Sequence, residues 1–364
     1  MKQLKLTPLS LAIATSLILS ACGSDNNTTP PELEQGFFSL GVSDNPADAN
    51  IVNVAFKQVV LKNSNGAYSF DVTTGDDGLQ HVDLLSFQGQ AVETLVSGQS
   101  VPVGEYQMCI YMENNTISTD DSSYVLSGAA EDDNGDFVGG DIEGLVTNSN
   151  GSCGGVGADE DNTGRLFFNK SFTIAAGNNN FVAEFNLAKG LQAPHGNKNY
   201  WTLKPTSVQL VNASEVGAIQ GQISQDTMTS CEVAAGGSEY SPAVYLYPSG
   251  TQLDQMADFR TGPNVLTQVA PITSARVNPV LDNADNITGY EYEFGFVVAD
   301  TYSLGYTCLA QNDDPEVSNI REPIDGSEPF FIDSDEQGII VTSGETTTRH
   351  FPESFVPIAV NAEM

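Results

Sequence analysis

The residues best suited to binding an ion are acidic and lie in glycine-rich segments. The segment Asp159 to Gly164 (DEDNTG) fits the first half of a calcium loop, in which alternate oxygens face one ion and a glycine permits a sharp turn. Lys170 stands where a bidentate acid must close that loop, and a second half-motif at Asp333 to Gly338 also lacks its closing acid. Acidic turns are the simpler interpretation, because Asp, Asn and Gly are common turn formers. We therefore assign no metal ligand or cofactor, but keep four calcium candidates: Asp132, Asp133, Asp159 and Asp161.

The sequence shows no catalytic pattern. The three histidines, His81, His195 and His350, are far apart, and no serine lies in a Gly-x-Ser-x-Gly elbow. A carboxylate pair cannot be chosen among 47 acidic residues without geometry. We expect no enzyme and no catalytic residue. A carboxylate-dependent hydrolase stays open, and it would require a deep cleft lined by acids with raised pKa values.

Trp201 is the single tryptophan of the chain. Its aromatic face suits the face of a sugar ring. Packing at the core or at a domain edge, beside Tyr200 and Leu203, is the simpler interpretation.

Four cysteines follow Cys22, namely Cys109, Cys153, Cys231 and Cys308. An even number of cysteines in an exported chain indicates two disulfides, with three possible pairings. We favour Cys109 with Cys153 and Cys231 with Cys308, because each bridge then lies within one predicted domain.

The N-terminal residues have the layout of a secretory signal. Lys2 and Lys5 precede an apolar run from Leu9 to Leu19, which is shorter than the ~20 residues of a membrane-spanning helix. The sequence Leu19-Ser20-Ala21-Cys22 resembles the bacterial lipobox at all four positions. The resemblance implies cleavage before Cys22 and two lipid attachments on that cysteine, which suffice for stable anchoring. Gly23 stands where an aspartate favours retention in the inner membrane, so the resemblance implies the outer membrane, on its periplasmic face or at the cell surface.

The charge balance excludes several classes of partner. The chain has 13 basic and 47 acidic residues and a net charge of −34, and two of the basic residues lie in the signal. Nucleic acids and anionic lipid headgroups bind largely through Lys and Arg, so both would be repelled. Solubility is the simplest role for a dispersed negative surface, and an acidic site for a basic partner is the alternative.

Short strands separated by turns dominate the pattern, which predicts an all-β fold of two antiparallel β-sandwich domains. Helical spacing occurs only around Val92 to Leu95. We predict a signal peptide over 1–21, a lipid anchor and tether over 22–35, domains over 36–212 and 217–350, and a tail over 351–364. Residues 114–162 are rich in Asp, Asn, Ser and Gly, and we expect an acidic insertion or long loop there, fixed by Cys153.

The first domain resembles the bacterial lipoprotein family called domain of unknown function 4382 (DUF4382). The resemblance rests on four stretches: Ser39 to Lys62 (SLGVSDNPADANIVNVAFKQVVLK), Val82 to Gly89 (VDLLSFQG), Val101 to Met112 (VPVGEYQMCIYM) and Leu203 to Val211 (LKPTSVQLV). The Ser-Asp-Asn-Pro sequence in the first stretch is a turn signal. The family implies a lipoprotein, in agreement with Cys22, and brings no catalytic residues.

The second domain resembles the small transthyretin-like, or carboxypeptidase-regulatory, β-sandwich. In that fold a Gly-x-Tyr hairpin leads into a late strand, and here Asp300 replaces the glycine before Tyr302. We expect a lipid-anchored envelope protein with a non-catalytic binding or scaffolding role, whose partner is an envelope protein, a glycan or another cell. The alternatives are a calcium-stabilised adhesion or glycan-binding module, and the hydrolase named above.

Overall fold

The computed structural model of the protein describes residues 34–45, 49–72, 78–118, 122–131, 137–157, 160–237, 240–260, 267–284, 286–315, 317–321, 328–352 and 354. The strands of the N-terminal half (34–212) are β1 Gln35–Asn45, β2 Ile51–Asn63, β3 Gly66–Asp71, β4 Gln80–Asp83, β5 Glu93–Pro102, β6 Gly104–Glu113, β7 Tyr124–Ser127, β8 Ala130–Glu131, β9 Phe137–Val138, β10 Asp141–Val146, β11 Thr163–Phe167, β12 Phe172–Ile174, β13 Gly177–Asn186, β14 Leu191–Gln192, β15 Trp201–Leu203 and β16 Val208–Asn212. A short helix, α1 Leu187–Gly190, follows β13.

The N-terminal half is a sandwich of two large sheets and confirms the all-β prediction. One sheet has the order β16-β13-β1-β5, and the other has the order β11-β6-β2-β7-β10-β15-β14, with β3, β4 and β12 branching from it. Alternate residues of β1 and β13 meet those of β2 and β6 in one apolar core, which includes Phe38, Phe56, Ile110 and Phe185. This period-2 burial is what the sequence alternation predicted.

The acidic segment 114–162 is more ordered than the sequence analysis expected. Its strands β7 and β10 pair with one another, and β7 pairs with β2, so the segment extends the larger sheet. Val125 and Leu145 are fully buried in the core. The expectation of a long loop was wrong here, because a few apolar residues in a polar segment suffice when a neighbouring strand offers a pairing edge.

The disulfide Cys109–Cys153 fixes the end of this segment over the outer face of the larger sheet. Tyr111 donates its hydroxyl hydrogen to the carbonyl oxygens of Gly151 (3.1 Å) and Val156 (2.9 Å). Val60, Tyr111 and both cysteines form a small buried cluster there. The outer face of β2 and β6 is therefore also covered.

The C-terminal half (216–352) is a second sandwich. Its strands are β17 Val216–Gln222, β18 Ala243–Pro248, β19 Thr273–Arg276, β20 Asn278–Leu281, β21 Ile287–Val298, β22 Thr301–Thr307, β23 Ser334–Ile340 and β24 Thr346–Thr348. They form sheets of order β20-β21-β17-β24 and β19-β18-β22-β23. The core between them reaches Phe351, which is fully buried, so the predicted tail begins inside the core.

Neither the short α1 nor the longer helix α2 Gln225–Ala235 was predicted from the sequence. Helix α2 has recognisable caps. The Ser224 side chain caps its first turn by accepting from the Thr227 amide, and Gly236 ends it with a φ of 70°. Cys231 on this helix forms a disulfide with Cys308, and both are buried. Ser224 and Gly236 could have indicated the two ends of this helix in the sequence. The helix has only two buried residues, and few of its apolar residues recur with helical spacing.

Two further expectations differ from the structure. The sheets are mixed rather than purely antiparallel, since β1–β13, β10–β15 and β17–β24 are parallel pairs joined by the long connections that such pairs require. The residues with helical spacing enter β5. Register shifts in the pairing of β5 with β1 place the consecutive residues Leu95 and Val96 both in the core. The apolar residues of β5 therefore do not alternate as in a regular strand.

The two halves pack directly against each other. A buried apolar cluster joins Val182 and Val211 to Val216, with Val92 and Phe296 against it. Asn186 donates its side-chain amide to the Ile272 carbonyl at 3.2 Å. The halves therefore meet at a fixed junction rather than through a free linker.

Candidate functional site

Of the four calcium candidates, only Asp161 belongs to the described residues, and its side chain is exposed. Asn162 beside it has a φ of 52°, the left-handed conformation of a turn. The second half-motif is mostly strand β23, with Gly338 at a φ of 69°, so the prediction of a turn was wrong there. Over the described ranges, no three His, Cys, Asp or Glu side chains group as metal ligands.

The anchoring cysteine, Cys22, lies outside the described residues, as do Asp132, Asp133 and Asp159. Within the described part of the chain, no helix combines the length and apolar character needed to cross a bilayer.

The structure does not bring the three histidines together. His81 is exposed on β4 and lies 3.2 Å from the side-chain nitrogen of Asn53. The Nδ1 atom of His350 accepts a hydrogen bond from the backbone N–H of Gln222 at 3.1 Å, and desolvation lowers the pKa of His350. His195 is exposed on the wall of a cleft.

The Ser-Asp-Asn sequence that indicated a turn forms the buried end of β1. The side-chain amide of Asn45 donates to Glu184 at 2.8 Å, and both residues are buried. Asp44 is 1% exposed, and neither carboxyl oxygen has a hydrogen-bond partner among the described residues. Burial raises the pKa of the Asp44 carboxyl group well above its usual range. Such a group is stable as the neutral acid, so we assign it to the core rather than to a site.

A cleft with a volume of about 620 Å³ lies between the two halves. One wall comes from α1, β14 and the following turn, and it includes Leu191, Gln192 and His195 together with Trp201. The other wall comes from the C-terminal half, with Tyr245 and Arg276 on neighbouring strands. This volume is within the range of small-molecule sites.

Trp201 is held in a defined orientation on the first wall. Its indole N–H donates to a carboxylate oxygen of Glu143 at 3.0 Å, and β15 is paired on both sides, with β14 and β10. The side chain is half-buried and packs partly against the N-terminal core. The structure therefore confirms packing at a domain edge. Trp201 also lines the cleft, and its interpretation as a sugar surface stays a prediction.

Asp313 lies on the second wall, and the pKa of its carboxyl group is raised. Desolvation and the neighbouring charge of Asp258 raise its pKa to about 7, while the Phe259 amide and the Tyr245 hydroxyl oppose this. Both carboxyl oxygens of Asp313 lie near the Phe259 amide nitrogen, at 3.1 and 3.3 Å.

Asp258 lies behind the cleft wall and is 1% exposed. Desolvation raises its pKa to about 7, against hydrogen bonds from backbone amides that include that of Asn319. Of these two acids, only Asp313 lines the cleft, so only Asp313 can contact a ligand bound there.

A second, smaller cleft of about 340 Å³ lies on the same junction. Asn45 and Gln88 face Gln222 and His350 across it, and Arg276 lines both clefts. The junction is crossed here by a hydrogen bond from Gln90 to Glu293 at 2.7 Å. Sequence reasoning could not find either cleft, because their walls come from segments far apart in the chain.

Comparison with known families identifies the N-terminal half. The model of the family described as "Domain of unknown function (DUF4382)" matches residues 35–205. Residues 35–205 form a DUF4382 domain. This confirms the resemblance seen in the sequence. The matched residues include the first wall of the cleft, on which Trp201 lies. The C-terminal half lies outside the match. Comparison with curated proteins gives no match.

Solved structures with some likeness to this DUF4382 protein come from bacteria. A leucine-rich repeat protein from Bacteroides thetaiotaomicron is 11% identical with a TM-score of 0.19, over 89% of this chain and 26% of its own. A candidate cell adhesion protein from Parabacteroides distasonis is 12% identical with a TM-score of 0.17, over 90% of this chain and 96% of its own. Another from Bacteroides fragilis is 11% identical with a TM-score of 0.19, over 86% and 92%. Likeness at this level carries no argument about function.

Proposed function

We propose that this DUF4382 protein is a lipid-anchored protein of the cell envelope that binds a ligand in the cleft between its two halves without transforming it. The observation that carries the proposal is the cleft itself. Two sandwiches meet at a packed junction and leave a cavity of about 620 Å³ with aromatic and polar walls.

The placement in the envelope rests on two independent features. Both disulfides join buried cysteines, and such bonds persist mainly outside the reducing cytoplasm. The lipobox ending at Cys22 supplies the anchor, and the polar segment that follows it (23–35) supplies the tether to β1.

The ionisable side chains around the cleft favour binding over catalysis. Asp313 has both oxygens directed at a backbone amide, and its acidic neighbour Asp258 is shielded from the cleft. His195 lies 3.1 Å from the Ala193 carbonyl oxygen of its own loop. These groups are oriented by the protein and do not form a nucleophile with an adjacent base.

Fractionation and crosslinking in cells test the proposal. The full-length protein is expected to incorporate a fatty-acid label and to appear in the outer-membrane fraction, while a Cys22→Ala variant does neither. Crosslinking of intact cells is expected to capture a discrete partner that is lost in the Cys22→Ala variant. An unlabelled protein, or the same captured species from the soluble variant, would contradict envelope anchoring as the basis of function.

The pKa of Asp313 favours one second candidate, a hydrolase that uses a carboxylic acid. A cleft acid with a pKa of about 7 is suited to donating a proton at neutral pH. Turnover of glycoside or ester substrates that is lost in Asp313→Asn would establish this candidate. The binding proposal expects no turnover by either protein.

A further inference from the structure

Trp201 and its surroundings restrict which ligand the cleft can accept, if the cleft is the binding site proposed above. The hydrogen bond from the indole nitrogen to Glu143 favours one rotamer of the ring over the others. The rigid backbone of β15, which is paired on both sides, supports it. The result is a pre-oriented aromatic side chain on one wall of the cleft.

The polar groups around this surface both donate and accept hydrogen bonds. Gln192 precedes the turn on the same wall. Arg276 and the side-chain NH2 group of Gln311 contribute from the opposite wall, while the Gln311 side-chain oxygen accepts from the Ser241 backbone N–H. Adjacent hydroxyl groups of a sugar also donate and accept, and amide and guanidinium planes can bridge two of them. The lining therefore fits a ligand with one apolar face and many hydroxyls.

Charge argues against an anionic ligand. The whole chain carries −34, and Asp313 and Asp314 both line the cleft. This negative field would repel phosphate or sulfate groups. Among the described lining residues, Arg276 is the single arginine that could offset the repulsion. A neutral ligand avoids this repulsion.

The remaining ligand classes fit less well. A lipid chain needs walls without polar groups, whereas this cleft has polar side chains on both walls. An extended peptide needs an open strand edge for main-chain pairing, and the edge strands beside the cleft are short: β14 Leu191–Gln192 has two residues and β19 Thr273–Arg276 has four.

We infer that the cleft binds a short, neutral oligosaccharide, with a sugar ring stacked on Trp201 and its hydroxyls bound by side chains of both halves. Glu143 acts as a positioning residue, because it orients the indole from behind. The ligand is short because a cleft of this volume encloses a small molecule rather than a long polymer segment.

The single tryptophan makes the test direct, because all indole emission from the full-length chain comes from Trp201. The purified full-length protein would be titrated with neutral tetrasaccharides of glucose, mannose, xylose and N-acetylglucosamine, and with a uronic-acid tetrasaccharide. At least one neutral member is expected to shift the emission saturably and to raise the Tm. The acidic member is expected to do neither.

Three variants separate stacking from a structural effect. Trp201→Ala is expected to weaken binding, measured by calorimetry, about tenfold or more, as for an aromatic hot spot. Gln192→Ala lies away from the apolar core and is expected to weaken binding about fivefold, as for one lost neutral hydrogen bond, with an unchanged Tm. Tyr200→Ala is the matched control, because Tyr200 stands next to Trp201 in sequence but contacts Lys198 rather than the cleft.

Failure of the sugar inference differs from failure of the proposed function. If no neutral saccharide shifts the emission at millimolar concentration, the inference is overturned. The proposed function survives that result if the cleft still captures a partner of another class in cells. A response to the acidic saccharide alone, or equal effects of Gln192→Ala and Tyr200→Ala, would also overturn the inference.

Discussion

Gly295 packs against Gly89 so closely that a β-carbon on Gly295 would lie 1.7 Å from the Gly89 carbonyl oxygen. Gly89 follows the Asp-Leu-Leu stretch of the DUF4382 domain, and Gly295 lies in β21 of the other half. The backbones of the two halves therefore touch at this point without any side chain between them. The contact lies beside the smaller cleft, which Gly89 also lines.

The variant Gly295→Ala tests the junction. We expect it to lower the free energy of unfolding by about 1–3 kcal/mol, because the added methyl group overlaps backbone that cannot move freely. Chemical denaturation would measure the change. Gly289→Ala on the same strand is the control, since the nearest atom to its β-carbon is Gln222 Oε1 at 3.8 Å. Equal stability of the two variants would show that the junction is loose.

The two disulfides should each stabilise the fold substantially. They join residues 44 and 77 positions apart. Loops of that length correspond to about 4 kcal/mol each in the chain-entropy account. The double variants Cys109→Ala/Cys153→Ala and Cys231→Ala/Cys308→Ala would be compared by denaturation. The first is also expected to open residues 149–157 to protease, whereas the second is expected to loosen α2. Unchanged stability of both variants would contradict this account.

Stability should decrease as the pH rises from about 4 to about 7. Asp258 and Asp313 have folded-state pKa values of about 7, whereas an unfolded aspartate titrates near 4. In this window the folded protein binds more protons than the unfolded chain, so the free energy of unfolding falls with rising pH. Asp44 and Glu184, whose pKa values are raised by burial, act in the same direction.

The variant Asp258→Asn should make this slope shallower, because its amide oxygen can still accept from the Asn319 amide but the side chain no longer titrates. The control is Asp282→Asn. Hydrogen bonds lower the pKa of Asp282, so this residue affects the pH dependence of stability only below about pH 4. Denaturation at several pH values would measure both slopes. A slope unchanged by Asp258→Asn would contradict the assignment.

Calcium should leave the Tm unchanged. Asp161 is exposed, and in the described part of the chain no group of acids is arranged as ligands. A melting curve with millimolar calcium, repeated with a chelator, measures this, since an ion that binds only the folded state must raise the Tm. A clear rise would support the calcium-stabilised module and point to Asp132, Asp133 and Asp159, which lie outside the described residues.

Local patterns predicted the fold class well, because alternation of apolar residues in β1, β2 and β6 reports directly on a buried face. The cysteine pairing followed from keeping each bridge within one half, and the structure has that pairing. Features that depend on tertiary partners were harder to predict. Strand β7 pairs with the edge that β2 offers, β10 pairs in turn with β7, and α2 is held by the Cys231–Cys308 bond.

The candidate site was predictable only through Trp201. Its identity suggested a sugar surface, but its position on a cleft depends on segments more than 100 residues further along the chain, including Asp313. The sequence likewise marked Ser43 and Asp44 as a turn. Their burial could not be read from residue types, because polar residues are rarely placed in a core without partners.

Photo-crosslinking from within the cleft tests the central claim most directly. A photoreactive residue would replace Gln192 on the cleft wall of the full-length protein in its native cells. The control would replace Val233, which is 77% exposed on α2 and lies outside the cleft. The account predicts a discrete adduct from position 192 that is absent from position 233, and its sensitivity to glycosidase or protease would identify the ligand class. The same adducts from both positions, or none from position 192, would contradict a binding role for the cleft.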